Sequence, residues 1–248
     1  MPKDTITELR TSLYGRSSVF VGSLETPTER IVYHLLYETL RAGKTVIWVC
    51  LRDTPNTIFE KFLSYELPVT GSKKGVWFVD ATTTGDRNIT SQTTRCAPMD
   101  YACMIMEAGN LMKKHPGSLV MLDNLGILSA LYRADMIVRP MKYLDTKIRA
   151  EGGGFVTLLA NNAVPGSVEA ELLGLIDIII HVGKDKIHTL VGSKELSIPF
   201  FFTGSELILG NMDMDRFLKD LFSLTPEEKK KLELEVEEKA HIYGEPAE

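Results

Sequence analysis

Most residues able to do chemistry stand just after short apolar runs. Gly22, Glu25 and Glu29 follow Ser18-Val-Phe-Val, and Arg52 and Asp53 follow Thr45-Val-Ile-Trp-Val-Cys-Leu51. Asp123 closes Ser118-Leu-Val-Met-Leu, and Asn161 follows Phe155-Val-Thr-Leu-Leu-Ala160.

The segment Gly22-Ser-Leu-Glu-Thr-Pro-Thr28-Glu29 argues against phosphate. It joins an apolar run to a helical pattern. That is where G-x-x-x-x-G-K-[ST] would cradle phosphates with backbone N–H groups, a lysine and a magnesium-binding hydroxyl. Laid over Gly22, the motif puts Pro27 at its second glycine, Thr28 at its lysine and Glu29 at its hydroxyl. Proline has no N–H to donate and cannot take positive φ. Thr28 carries no charge, and Glu29 sets a carboxylate where a phosphate would sit. Two like charges about 4 Å apart repel by about 4 kcal/mol at an effective dielectric near 20. The same residues suit an ordinary helix start, with Thr26 as cap, Pro27 in the first position and Glu29 in the third.

The elements that must position these residues alternate along the chain. Apolar, β-branched runs at 18–22, 45–51, 76–80, 118–123, 155–160 and 176–182 read as strands buried on both faces, the pattern of a parallel sheet. Helical patterns at 29–42, 55–64, 98–114, 134–150 and 167–175 fill the gaps. This alternation predicts right-handed crossovers and an α/β fold whose mostly parallel sheet is flanked by helices on both faces. Runs at 186–191, 196–203 and 206–209, joined by glycine-containing turns, predict antiparallel edge strands. Two domains are expected: 1–210, and a C-terminal helical extension over 211–248. In that extension Thr225-Pro-Glu-Glu228 opens a charged helix, read as a solvated tail or a partner-binding arm.

Composition narrows the classes. The 248 residues carry a net charge of −5, which gives no global hint of nucleic-acid binding. The three cysteines, Cys50, Cys96 and Cys103, lack metal-ligand spacing, and a reducing cytoplasm is the simplest setting. No run of 18 apolar residues exists, so no membrane partner is expected. His34, His115, His181, His188 and His241 form no H-x-x-x-H pair, and no metal site is expected. The stretch 80–95 reads as a long polar loop, in which Arg87 and Arg95 could contact phosphate, RNA or a neighbouring subunit.

Four segments together resemble KaiC-like ATPases of the RecA superfamily. Arg41-Ala-Gly-Lys-Thr-Val-Ile-Trp-Val-Cys-Leu-Arg-Asp-Thr-Pro55 is similar to that family's second strand and following loop, and Ser118 to Leu125 to its Walker B strand. Phe155 to Asn162 resembles the strand carrying a sensor residue, and Val164 to Ile180 a late helix–strand unit. The resemblance spans roughly residues 15–210 and implies a RecA-like core. By it, Asp123 matches the Walker B aspartate, Asn161 the sensor position, and Arg52 and Asp53 stand where catalytic glutamates would, so Asp53 could still act as a base. The family's fold would put Glu25, Glu29, Arg52, Asp53, Asp123 and Asn161 at the carboxyl ends of the strands, where open α/β sheets take ligands, in a cleft whose acidic balance suits a cation or an amine better than a nucleotide. Lys194 lies near basic residues that reach a neighbour's nucleotide.

The phosphate loop is lost, so no catalytic residue and no cofactor are expected. Gly22, Thr28, Glu29, Asp53, Asp123 and Asn161 are expected to be vestigial nucleotide-site positions. For Asp123 the favoured role is that of a strand-end aspartate that caps or accepts backbone hydrogen bonds. The expected function is a pseudo-ATPase scaffold or regulatory subunit of archaeal, thermophilic type, paired with itself or with an intact RecA-like paralogue. The alternatives are a nucleic-acid-binding RecA-like module, by analogy with the RecA-like subunits of Elongator, and an unorthodox ATP-binding protein.

Overall fold

Six helices and ten strands follow one another in a computed structural model that describes residues 5–23, 25–69, 75–82, 91–98, 100–161, 173–191, 194–204 and 206–210. The strands are β1 (Ser17–Gly22), β2 (Val46–Cys50), β3 (Val76–Asp80), β4 (Thr93–Arg95), β5 (Leu119–Leu122), β6 (Gly154–Ala160), β7 (Ile178–Val182), β8 (Lys186–Val191), β9 (Lys194–Thr203) and β10 (Glu206–Leu209). The helices are α1 (Thr5–Ser12), α2 (Thr28–Arg41), α3 (Pro55–Ser64), α4 (Tyr101–Lys114), α5 (Leu125–Leu131) and α6 (Ala134–Glu151). The chain divides into two units, Met1–Gly210 and Asn211–Glu248. The second unit, with the helices expected there, lies outside the described residues, as do residues 162–172 of the expected late helix.

All ten strands join one sheet in the order β10-β9-β8-β7-β1-β6-β5-β2-β3-β4. From β7 to β4 every neighbour is parallel, and β8, β9 and β10 add an antiparallel edge. Every residue of β1, β2 and β5 is buried, as continuous apolar runs require. Alternate side chains feed two cores. Phe20, Trp48 and Met121 pack with Leu36 of α2 and Phe62 of α3 on one face. Val21, Ile47 and Val120 pack with Met104 of α4, Leu128 of α5 and Leu144 of α6 on the other. The expected α/β architecture, with helices on both faces and an antiparallel edge, is therefore present.

Local chemistry sets the joins. Asp100 caps α4, its carboxylate accepting from the Cys103 N–H at 3.0 Å, so that helix begins at Tyr101 rather than Pro98. The triple glycine ends α6 and starts β6. Gly152 takes a left-handed φ of 63°, and a Cβ at Gly154 would meet the Leu13 carbonyl and Leu119. Three elements were not foreseen. Helix α1 has a mixed pattern, α5 is a seven-residue helix that Asn124 caps directly after Asp123, and β4 lies within the stretch expected to be a polar loop. Three residues of hydroxyl and arginine side chains give little strand signal, yet β4 pairs with β3 from Phe78↔Thr93 to Asp80↔Arg95. The odd cysteine count also concealed a pair: Cys96 and Cys103 form a disulfide with Cα atoms 6.0 Å apart, while Cys50 is buried and free.

Candidate functional site

Gly22, Arg52, Asp53, Asp123 and Asn161 stand at the carboxyl ends of β1, β2, β5 and β6, next to Thr28 and Glu29 in the first turn of α2. Strand β1 lies where the chain's direction across the sheet reverses. It is followed by a crossover toward β2, and β6 is followed on its far side by β7. Such a switch point opens a crevice above the strand ends. Here the crevice is closed by the protein's own side chains.

Over β1 the hydroxyls of Thr26 and Thr28 lie 2.8 Å apart, and Thr26 Oγ1 also donates to the Ser23 carbonyl at 2.9 Å. A Cβ on Gly22 would overlap both hydroxyl oxygens. Thr28 is buried at 9% exposure. Helix α2 starts at Thr28, with Pro27 at the N-cap and no side-chain cap bond. The expected cap, Thr26, is corrected: its hydroxyl is committed to Ser23 and Thr28, and Pro27 stands one place before the helix.

Next to this turn, Glu29 meets two cations. Arg52 donates to Glu29 Oε1 at 2.5 Å and to Asp53 Oδ2 at 2.6 Å. Lys61 of α3 donates to the same two oxygens at 2.8 and 2.7 Å. The four groups are charge-neutral together, which corrects the acidic crevice read from the sequence. Burial alone would raise the Asp53 carboxyl, but the bonds and charge of Arg52 and Lys61 hold it below its ordinary value. The Tyr65 hydroxyl bonds Glu29 Oε2 at 3.4 Å, and burial with the Glu29 charge pushes its pKa up to about 12. Sequence reading missed Lys61 and Tyr65. The available signal was Thr54-Pro55, a helix start directly after Asp53. Its capping bond from Thr57 N–H launches α3, whose second turn carries Lys61 back over the loop.

Asp123 points inward. Its Oδ2 accepts the backbone N–H groups of Leu51 (2.9 Å), Arg52 (2.9 Å) and Asp53 (3.2 Å), which fixes the loop after β2. Its Oδ1 is buried without a hydrogen-bond partner among the described residues. Burial raises the carboxyl to about 6, against the pull of the three N–H bonds. Asn161 is exposed, and its backbone N–H bonds the Gly22 carbonyl at 2.8 Å, tying β6 to β1. Glu25 stands apart, 3.6 Å from Lys184 with both side chains exposed. Lys194 lies in β9 opposite Val191 of β8, away from these strand ends in the sheet order. Arg87 falls outside the described residues. A hollow lined by Ser17, Met141, Leu144, Ile148, Phe155 and Leu175 sits at the amino-terminal ends of β1 and β6, remote from the crevice.

No family model matches this sequence, and neither does any curated protein. Geometry therefore carries the functional argument. No cluster of histidine, cysteine and carboxylate able to hold a metal exists among the described residues. No helix among them is long and apolar enough to cross a membrane. Chemically, the arrangement clamps the start of α2 to the β2–α3 loop, and its charges are spent on one another.

Proposed function

We propose that this chain is a RecA-like, KaiC-like domain that works without nucleotide turnover, as a scaffold or regulatory subunit. It assembles with copies of itself or with an intact RecA-like paralogue. The observation that carries the reading is Glu29, an internal carboxylate held by Arg52 and Lys61 at the helix start where a phosphate would dock. An incoming phosphate would have to displace that carboxylate from both cations. The Thr26–Thr28 hydroxyl pair packed over Gly22 supports the same reading, because it fills the space that a phosphate-cradling loop leaves open. Asp123, engaged with three backbone N–H groups, serves the loop rather than magnesium. A cytoplasmic, thermophilic archaeal setting belongs to the proposal and accommodates the disulfide, since intracellular proteins of hyperthermophiles carry such bonds.

A thermal-shift titration with magnesium-ATP against a magnesium-only control tests it. Ligand at 100 times its dissociation constant stabilises by about 2.7 kcal/mol, or about 5–10 °C for a chain this long. The expected result is no ATP-specific shift at millimolar ATP, with an oligomeric state by light scattering that ignores ATP. A shift of that size would return the chain to the nucleotide binders. A monomer at every concentration would remove the scaffold.

A further inference from the structure

Strand β4 is the outer edge of the parallel side of the sheet and is only three residues long. The ladder to β3 is extended by Phe78 N–H to the Gln92 carbonyl and Cys96 N–H to the Asp80 carbonyl, both at 2.9 Å. After it, Asp100 N–H reaches the Ala97 carbonyl at 3.0 Å and the chain enters α4, which is anchored by Tyr101, Met104 and Ile105 in the core. The Cys96–Cys103 bond spans this junction, joining the residue just after β4 to the first turn of α4 across seven positions. We propose that Cys96 and Cys103 form a redox-sensitive clasp, opened by exchange with a dithiol, that decides how firmly the sheet edge β4 is held to α4.

One of the two sulphurs is open to exchange. Cys96 is 8% exposed and belongs to the buried cluster beneath α4, whereas Cys103, packed against that cluster, is only partly buried and is the more accessible of the two. Cys50 is fully buried, and burial pushes its thiol well above the ordinary range, so it does not compete for either partner. A dithiol's thiolate attacks the more accessible Cys103 sulphur. The S–S bond breaks, its electron pair leaves with the Cys96 sulphur, and that sulphur takes a proton. The reagent's second thiol then attacks its own sulphur in the mixed disulfide, closing the reagent's ring and releasing Cys103 as a thiol. The protein pair gains two electrons and the dithiol loses two. Once open, the edge keeps its ladder, the Asp100 cap and the backbone that runs on into α4, but loses the side-chain cross-link.

Two readouts on the full chain test the clasp, with dithiothreitol as the dithiol. Intact-mass analysis after denaturation and maleimide labelling should show one label on protein exposed to oxidised dithiothreitol and three after reduction. Three labels on the oxidised sample would overturn the proposal at its first step. Oxidised protein should melt about 5–10 °C above reduced protein, given the loop that the bond closes. Amide exchange at 92–96 should quicken on reduction. Cys103→Ser, at the more exposed position, should melt with the reduced wild type whatever the redox state. Equal melting and equal exchange in the two forms would show a bond that clasps nothing.

Discussion

Asp123 turns one oxygen to three backbone N–H groups and leaves the other buried and without a partner among the described residues. Asp123→Ala strands those N–H groups and should cost about 2–4 kcal/mol in urea unfolding, whereas Asp123→Asn keeps an acceptor and should cost about half as much. The group's raised pKa fixes a sign. A carboxyl at about 6 in the fold, against 3.8 unfolded, adds stability below pH 3.8 and loses it as pH rises through 6. His34 works the other way. Burial, with Arg30 nearby, lowers it from 6.5 to about 4, so its contribution is lost as pH falls through that window. The two slopes oppose each other, and wild-type stability should be nearly level between pH 4 and 6.5. Asp123→Asn should expose the His34 slope, losing on the order of 2–3 kcal/mol as pH falls from 6.5 to 4. Unfolding curves at four pH values check this, and a level Asp123→Asn profile would remove the His34 argument.

At the scale of elements, the start of α2 is held by packing over Gly22 and by the ion network around Glu29. Gly22→Ala places a methyl against the Thr26 and Thr28 hydroxyls and should destabilise by about 1–3 kcal/mol, with Gly22→Ala/Thr28→Ala recovering part of the loss. The Glu29 and Lys61 side chains are 30% and 25% exposed, so solvent screens the pair. A double-mutant cycle should return a coupling of only about 0.5–1 kcal/mol that shrinks in salt. Much of this level was legible. Strands β1 to β3 and β5 to β10 and helices α2, α3, α4 and α6 declare themselves through apolar runs, helical periodicity and glycine joins. What stayed hidden was short or tertiary. β4 is recruited by pairing with β3 rather than by apolar content, and α5, seven residues long, is too short to show a helical period. Lys61 acquires its role only when α3 folds over the loop after β2, and no spacing rule links it to Glu29.

For the whole molecule, the residues that could do chemistry were legible as a group at the strand ends, but their charge balance was not, because partners came from another element. Charge is also unevenly divided along the chain. Residues 1–210 hold equal numbers of acidic and basic residues, so the entire net −5 belongs to 211–248. Protein ending at Gly210 should therefore focus near neutrality instead of at the whole chain's pI of about 5.6, which isoelectric focusing will check. The order of the sheet has a further consequence, for assembly in time. Strand β1 is made first of all the strands, yet its neighbours are β6 and β7, so Ser17 waits for Phe155 and Val19 for Ile179. Such distant pairing closes loops late and slows folding. A nascent chain halted before residue 154 would carry Val19-Phe-Val21 with neither neighbour yet made, a sticky segment that synthesis itself must shelter until the middle of the sheet arrives.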